Sequence, residues 1–114
     1  MIRHHISLLA VLMFALVEGA PLELKKGDHV CYLGNTLAER MQHFGWLETY
    51  IQSRFPNHEL RFRNLGFSGD ELTKRLRSAG FGSPADHLKL QQTNVIFAFF
   101  GYNESFAGQL GLGK

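Results

Sequence analysis

One cysteine, Cys31, is the whole thiol content of this 114-residue chain. An intrachain disulfide is therefore excluded, and because Cys31 sits inside the apolar run Val30 to Leu33, a buried, inert thiol is expected. Charge of one sign is equally scarce. Twelve lysines and arginines stand against ten acids, a formal net charge of +2. The tightest basic group, Lys74-Arg75-Arg77, falls on a predicted short helix where a solvated face accounts for it, so no nucleic-acid partner is expected. No glycine-rich phosphate loop ending in Lys-Ser or Lys-Thr is present, which leaves nucleotide hydrolysis without support. No histidine has a second ligand at i+4 or in a Cys/His cluster, so neither a metal nor a cofactor is expected. There is no internal repeat.

The one long hydrophobic run, Ile6 to Val17, is too short to cross a bilayer comfortably. With Arg3 before it and Val17-Glu18-Gly19-Ala20 after it, the pattern is that of a secretory signal peptide. Residues 1–19 are the expected signal, 20–114 the expected mature chain, and the destination is secreted or periplasmic. Arg3 and Glu18 leave together, so the charge of the remainder is unchanged.

What remains reads as an alternation of strands and helices. His29 to Leu33 is a short apolar strand of the kind covered on both faces in parallel sheets. Leu37, Met41, Phe44, Leu47, Ile51 and Phe55 recur every three or four residues, which predicts one helix over 37–55 with Gly45 as its weak point. Leu60 to Leu65 alternates apolar and basic residues as a strand near a sheet edge does. Asp70 to Arg77 and Asp86 to Gln92 are expected as short helices around the break Gly80 to Pro84. Asn94 to Phe100 is apolar enough to be read as a central strand, with Phe97, Phe99 and Phe100 as core. Strand, helix, strand, helix, strand points to an α/β fold with a parallel sheet. Nothing in the sequence covers the flank of the third strand, so self-association through an exposed sheet edge is expected. The chain reads as the front part of a longer domain.

Each strand is followed by a polar loop: Gly34-Asn35-Thr36, Ser68-Gly69-Asp70 and Gly101-Tyr102-Asn103. A hydroxyl, a glycine N–H and a carboxamide are what acyl transfer requires, namely a nucleophile and two donors for the developing oxyanion. Each residue also has a plain structural reading. Thr36 with Glu39 spells a capping box, Gly69 allows a tight loop, and Asn103 is a turn former whose neighbour Glu104 caps or orients the same loop.

Taken together the three blocks resemble the SGNH or GDSL hydrolases, a family of esterases and acylhydrolases. The family's Gly-Asp-Ser block is matched by Gly34-Asn35-Thr36, its Asn-x-Gly-x-Ser-Gly block by Asn64-Leu65-Gly66-Phe67-Ser68-Gly69, and its Gly-x-Asn block by Gly101-Tyr102-Asn103-Glu104. The resemblance covers His29 to Glu104. It implies a flavodoxin-like three-layer parallel sheet, here its first three strands, with Thr36 in the nucleophile's place and Gly69 and Asn103 at the oxyanion hole. It also implies a small-molecule ester or acylated carbohydrate as substrate. The chain departs from the family at Thr36, which replaces serine, and at Asn35, which replaces aspartate. The family's Asp-x-x-His block, source of the general base, occurs nowhere in the 114 residues. Two readings follow: an esterase-like domain that is inactive as this chain, or a non-catalytic secreted module that binds a carbohydrate or a protein partner on the same fold.

Overall fold

The computed structural model describes residues 21–112, with side chains to residue 110. The predicted signal segment lies outside the described residues. In chain order the elements are β1 (His29–Gly34), α1 (Thr36–Met41), α2 (Trp46–Arg54), β2 (Arg61–Asn64), α3 (Pro84–Leu90) and β3 (Val95–Phe99), followed by the single turns α4 (Tyr102–Ser105) and α5 (Gln109–Leu112). The three strands form one all-parallel sheet in the order β2-β1-β3. The α/β alternation read from the sequence is therefore present.

Side chains alternate across a strand, so register decides which residues share a face. Val30 lies opposite Phe62 and Val95, and Tyr32 opposite Asn64 and Phe97. On this face Val30 and Tyr32 pack with Leu24, Leu60 and Ile51 of α2, surrounded by Met41, Leu47, Phe55, Phe62, Val95, Phe97 and Phe99. The Tyr32 ring is the centre of the cluster, with its centroid 5.9 Å from Phe62, 5.8 Å from Phe97 and 5.9 Å from Phe99. Aromatic pairs at such separations contribute about 0.5–1.5 kcal/mol each beyond the area they bury. The Tyr32 hydroxyl is buried without a hydrogen-bond partner among the described residues. Burial, with the nearby Glu48 carboxylate adding to it, pushes the phenol pKa up to about 12.

The opposite face carries Cys31 and Leu33. Cys31 is fully buried, as expected, and burial raises its thiol pKa. The β2–β3 connection lies on this side: Pro84 and His87 share a cleft with Leu33 and Arg63, and His29 Nδ1 donates to the Gln91 carbonyl at 2.9 Å.

Four sequence expectations are corrected. The predicted helix over 37–55 is two helices separated by residues 42–45, because Gly45 sits at φ 58°, a left-handed conformation that interrupts the helix and that glycine adopts without strain. Met41, Leu47, Ile51 and Phe55 still face the core, whereas Leu37 and Phe44 are exposed. The predicted helix over Asp70 to Arg77 does not form. There the Glu71 N–H donates forward to the Lys74 carbonyl at 2.9 Å, a direction no helix contains, and the Asp70 carboxylate is taken by Arg77. Helix α3 starts two residues before its predicted beginning and ends at Leu90, because Ser83 accepts from the Asp86 N–H, Asp86 accepts from the Ser83 N–H, and Pro84 occupies the first turn. Finally, the strand expected to be central is an edge. β1 holds the centre, and Ile96 of β3 is 49 % exposed.

The outer edge of β3 has no partner strand among the described residues. Unpaired N–H and C=O groups beside an exposed isoleucine are a template for a second chain. The purified chain is expected to self-associate with rising concentration in sedimentation velocity, and Ile96→Lys to shift it toward monomer. A wild-type monomer at all concentrations would contradict this.

Candidate functional site

All three strands run the same way, so their carboxyl ends and the loops that follow them lie along one rim of the sheet. The first loop begins at Asn35, which is 4 % exposed. Its carboxamide oxygen accepts the Leu37 N–H at 3.2 Å, and its own N–H donates to the Phe99 carbonyl at the end of β3, 3.1 Å away. Asn35 is thus the cap of α1 and the tie between the ends of β1 and β3. This corrects the Thr36–Glu39 capping box. Thr36 is the first helical residue, so the position three beyond the cap is Ala38, and the Glu39 carboxylate turns instead to accept the Ser68 hydroxyl of the second loop. Thr36 is left half-buried and free of capping duty.

The second loop is drawn against the first by Asn64. Its Nδ2 donates to the Ala38 carbonyl at 2.6 Å, and its Oδ1 accepts the Gly66 N–H at 2.8 Å. A Cβ at Gly66 would lie 2.5 Å from the Glu39 backbone nitrogen, so only glycine lets α1 approach this closely. The Phe67 N–H donates to the Gly34 carbonyl at 2.9 Å. Phe67 to Asp70 then forms a β-turn closed by the Asp70 N–H on the Phe67 carbonyl at 3.1 Å, with Gly69 third at φ +83°, where a type II turn requires a positive φ. The turn accounts for glycine at this position. It also leaves the Gly69 N–H without a partner among the described residues, with open space where a Cβ would stand.

In the third loop, Asn103 Nδ2 donates to the Asp70 carbonyl at 3.0 Å, which leaves its second amide hydrogen uncommitted. Glu104 accepts the Leu72 N–H at 2.6 Å and the Gly101 N–H at 2.8 Å, so it caps its own loop and holds the second loop as well. The Leu72 N–H, and then the loop's other backbone donors, lower its carboxyl pKa below the ordinary value of 4.5.

Hydrogen bonds therefore join the second loop to its neighbours on both sides, while Asn35 ties the first loop to the end of β3. Thr36 itself lines a shallow depression of about 420 Å³ with Asn35, Ala98, Phe99, Phe100 and Tyr102, and neither Gly69 nor Asn103 lines it. The rim gathers the three expected residues, but they do not share the wall of one pocket. The four described histidines serve other places. His29 donates to Gln91, His87 Nε2 donates to the Phe81 carbonyl at 2.8 Å, the His58 ring tilts against Phe55, and His43 lies beside Phe44. Among the described residues no hydrogen bond joins Thr36 to a histidine. His87 nevertheless borders the second loop across the cleft it shares with Phe67 and Asp70.

Two polar anchors went unread in the sequence. Asp70 is 2 % exposed and forms a two-pronged ion pair with Arg77, both bonds 2.7 Å. Asp28, 7 % exposed, accepts Asn94 Nδ2 at 2.9 Å while Asn94 Oδ1 accepts the His29 N–H at 2.8 Å, which locks the starts of β1 and β3 together. The available signal for the second was an Asp and an Asn standing directly before two apolar strands. The first had no local signal, because six residues of irregular chain separate its partners.

Comparison with protein-family models, curated proteins and solved structures gives no match to this chain.

Removing one partner of a buried ion pair strands the other. Asp70→Asn is expected to cost about 3 kcal/mol in urea unfolding, against no more than about 0.5 kcal/mol for Glu71→Gln nearby. Equal effects would show that Asp70 is not an anchor. For Glu104 the sign follows from its lowered folded pKa: its stabilising contribution is present above the unfolded value and is lost as pH falls through the folded one. The Leu72 and Gly101 amide resonances are therefore expected to titrate together with a midpoint below 4.5, the ordinary value for glutamate. A midpoint at or above it would refute the assignment.

Proposed function

We propose that the chain carries the nucleophile and oxyanion part of an SGNH-type ester hydrolase site on the front of a flavodoxin-like sheet. The observation that carries this reading is the parallel order β2-β1-β3. It coincides with the first three places of the flavodoxin-like order 2-1-3-4-5, in which ligands sit outside the carboxyl ends of the strands where the order reverses, between β1 and β3. Asn35-Thr36 and Phe100 to Asn103 stand at that point. The coincidence of three motif blocks with three adjoining loops is further support, as is the release of Thr36 from capping.

In this reading Thr36 Oγ attacks the carbonyl carbon of an ester or acylated carbohydrate. A new C–O bond forms and the carbonyl oxygen becomes an anion held by the Gly69 N–H and the Asn103 amide; the bond to the alkoxy oxygen then breaks, and the alkoxide leaves as the alcohol with the proton given up by Thr36. Water then attacks the acyl-threonine ester, releasing the acid and returning a proton to Thr36 Oγ. The Thr36 proton needs a base, and general-base catalysis is worth about 10²–10⁴ in rate. No described histidine is hydrogen-bonded to Thr36, so in this reading the hydroxyl stays protonated and its attack is slow. By the same reading the protein is exported, to the periplasm or the medium, and needs no cofactor.

A second reading, a non-catalytic secreted binding module, draws on two particulars. Serine and aspartate of the family block are here Thr36 and Asn35, and Asn35 is committed to holding α1 and β3. Such a module would bind a carbohydrate or a protein partner on the same rim.

The test is a titration with phenylboronic acid, which becomes a tetrahedral anion on bonding a hydroxyl, followed by NMR together with p-nitrophenyl acetate hydrolysis. The Gly69 N–H and the Asn103 carboxamide resonances are expected to move together, and Thr36→Ala to abolish the movement, while hydrolysis stays within about tenfold of the Thr36→Ala background. Movement of neither donor would overturn the shared site. Hydrolysis far above background would overturn the missing base. Saturable binding of an acetylated sugar without turnover would favour the second reading.

A further inference from the structure

Apart from the Thr36 depression there is a cleft of about 460 Å³ on the Cys31 and Leu33 face of the sheet, between Leu33 and Arg63 and the chain over residues 75–87, which runs into the first turn of α3. The volume lies within the range of small-molecule sites. Neither Thr36, Gly69 nor Asn103 lines it.

Its chemistry is lopsided. Three guanidinium groups, Arg63, Arg75 and Arg77, line the cleft, and the one carboxylate there, Asp70, is fully used by Arg77. Asp86, on the neighbouring helix, is turned back to Ser83, and His87 is committed through Nε2 to Phe81. Two positive charges are thus left without a carboxylate among the described residues. Arg75 shows this most clearly, since its Nε is buried with no hydrogen-bond partner among the described residues, and its guanidinium stands 5.1 Å from the centre of the Phe100 ring. A buried donor of a charged group is costly to leave unsatisfied, and guanidinium favours the planar oxygens of carboxylate or the oxygens of phosphate. Much of the rest of the wall is apolar, from Leu33, Leu65, Phe67, Phe81 and Pro84, with Asn64, Ser83 and His87 as its neutral polar members. Phe67 and Phe81 bracket the Arg77 guanidinium at 3.9 Å and 5.7 Å from their ring centres and stay half exposed toward the cleft.

We propose that this cleft is a binding site for a small organic anion, an oxyanion head group on an apolar body, with Arg75 and Arg63 taking the head and the phenylalanines the body. Arg77 holds the floor through Asp70 and keeps both rings in place. The site is separate from the place of ester hydrolysis: it meets the strand-end loops only at Asn64 to Phe67 and Asp70 and through Arg75 on the Phe100 ring.

The experiment is a set of binding titrations of the full chain, followed by NMR, with 1-naphthyl phosphate and 1-naphthoate as head plus body, 1-naphthol as body alone and inorganic phosphate as head alone. At least one of the two organic anions is expected to bind about tenfold or more tightly than either control, to weaken with added salt, and to perturb the Arg75 side-chain and Phe81 resonances. Preference between the two anions identifies the head group. Arg75→Gln and the exposed Arg63→Gln are each expected to weaken binding about tenfold, whereas Arg54→Gln on α2 leaves it unchanged. Should Arg75→Gln unfold, Arg63→Gln carries the test. Equal binding of naphthol, binding unaffected by Arg63→Gln in a folded protein, or no binding of either anion would overturn the proposal.

Discussion

Parallel pairing on both sides of β1 is the constraint from which the rest of the molecule follows. Hydrogen bonding to β2 and β3 at once takes β1 out of water, and Val30, Cys31 and Tyr32 are buried to within a few per cent. Because both neighbours run in the same direction, each must be reached by a crossover. The β1–β2 connection puts Ile51 of α2 under Tyr32, and the β2–β3 connection carries α3 across the other face. The same parallelism sets all three strand-end loops along one rim. Asp28 and Asn94 lock the strands at the opposite end, so the rim is positioned from a fixed base.

Within the rim, short polar side chains decide the geometry. Asn35 spans β1 and β3, Asn64 ties the second loop to α1, Asn103 ties the third loop to the second, and Glu104 does so again through Leu72. Each of the asparagine bonds is worth about 1 kcal/mol net. Together they do what helices do in larger proteins: they order loops that would otherwise be free. The ordering has a chemical consequence. Carbonyls of Phe99, Gly34 and Asp70 are satisfied by the neighbouring loops, whereas the Gly69 N–H and one Asn103 amide hydrogen stay open at the rim.

The elements legible in the sequence were those set by local pattern. Strand β1 ends within one residue of its reading, the apolar stripe Met41, Leu47, Ile51 and Phe55 finds the core, and the three polar loops adjoin as their order implied. What stayed hidden depends on partners distant in the chain. Arg75 and Arg77 read as a solvated helix face, yet Asp70 and the rings of Phe67, Phe81 and Phe100 turn them inward and abolish the helix. Centrality of β1 over β3 was hidden for a related reason. Apolar content measures how well a strand tolerates burial, while the number of paired neighbours decides how much burial it receives, and Ile96 shows the difference.

Cap assignment is where local pattern and local structure part company, and it bears directly on chemistry. Thr36-x-x-Glu39 and Asn35-x-x-Ala38 are offset by one residue, and the sequence motif favours the first. Asn35 prevails because its backbone N–H is already held by Phe99, which fixes an extended conformation at Asn35 and starts the helix at Thr36. A threonine used as a cap would have its hydroxyl committed as an acceptor. A threonine one place later does not, so its oxygen remains available to a ligand at the strand ends. The change that frees the hydroxyl also commits the residue before it, since Asn35 must stay neutral and hydrogen-bonded to keep β1 and β3 in register at this rim. The chemistry proposed for Thr36 thus depends on an asparagine that holds β1 and β3 together, in the place where the block of the proposed hydrolase family carries an aspartate.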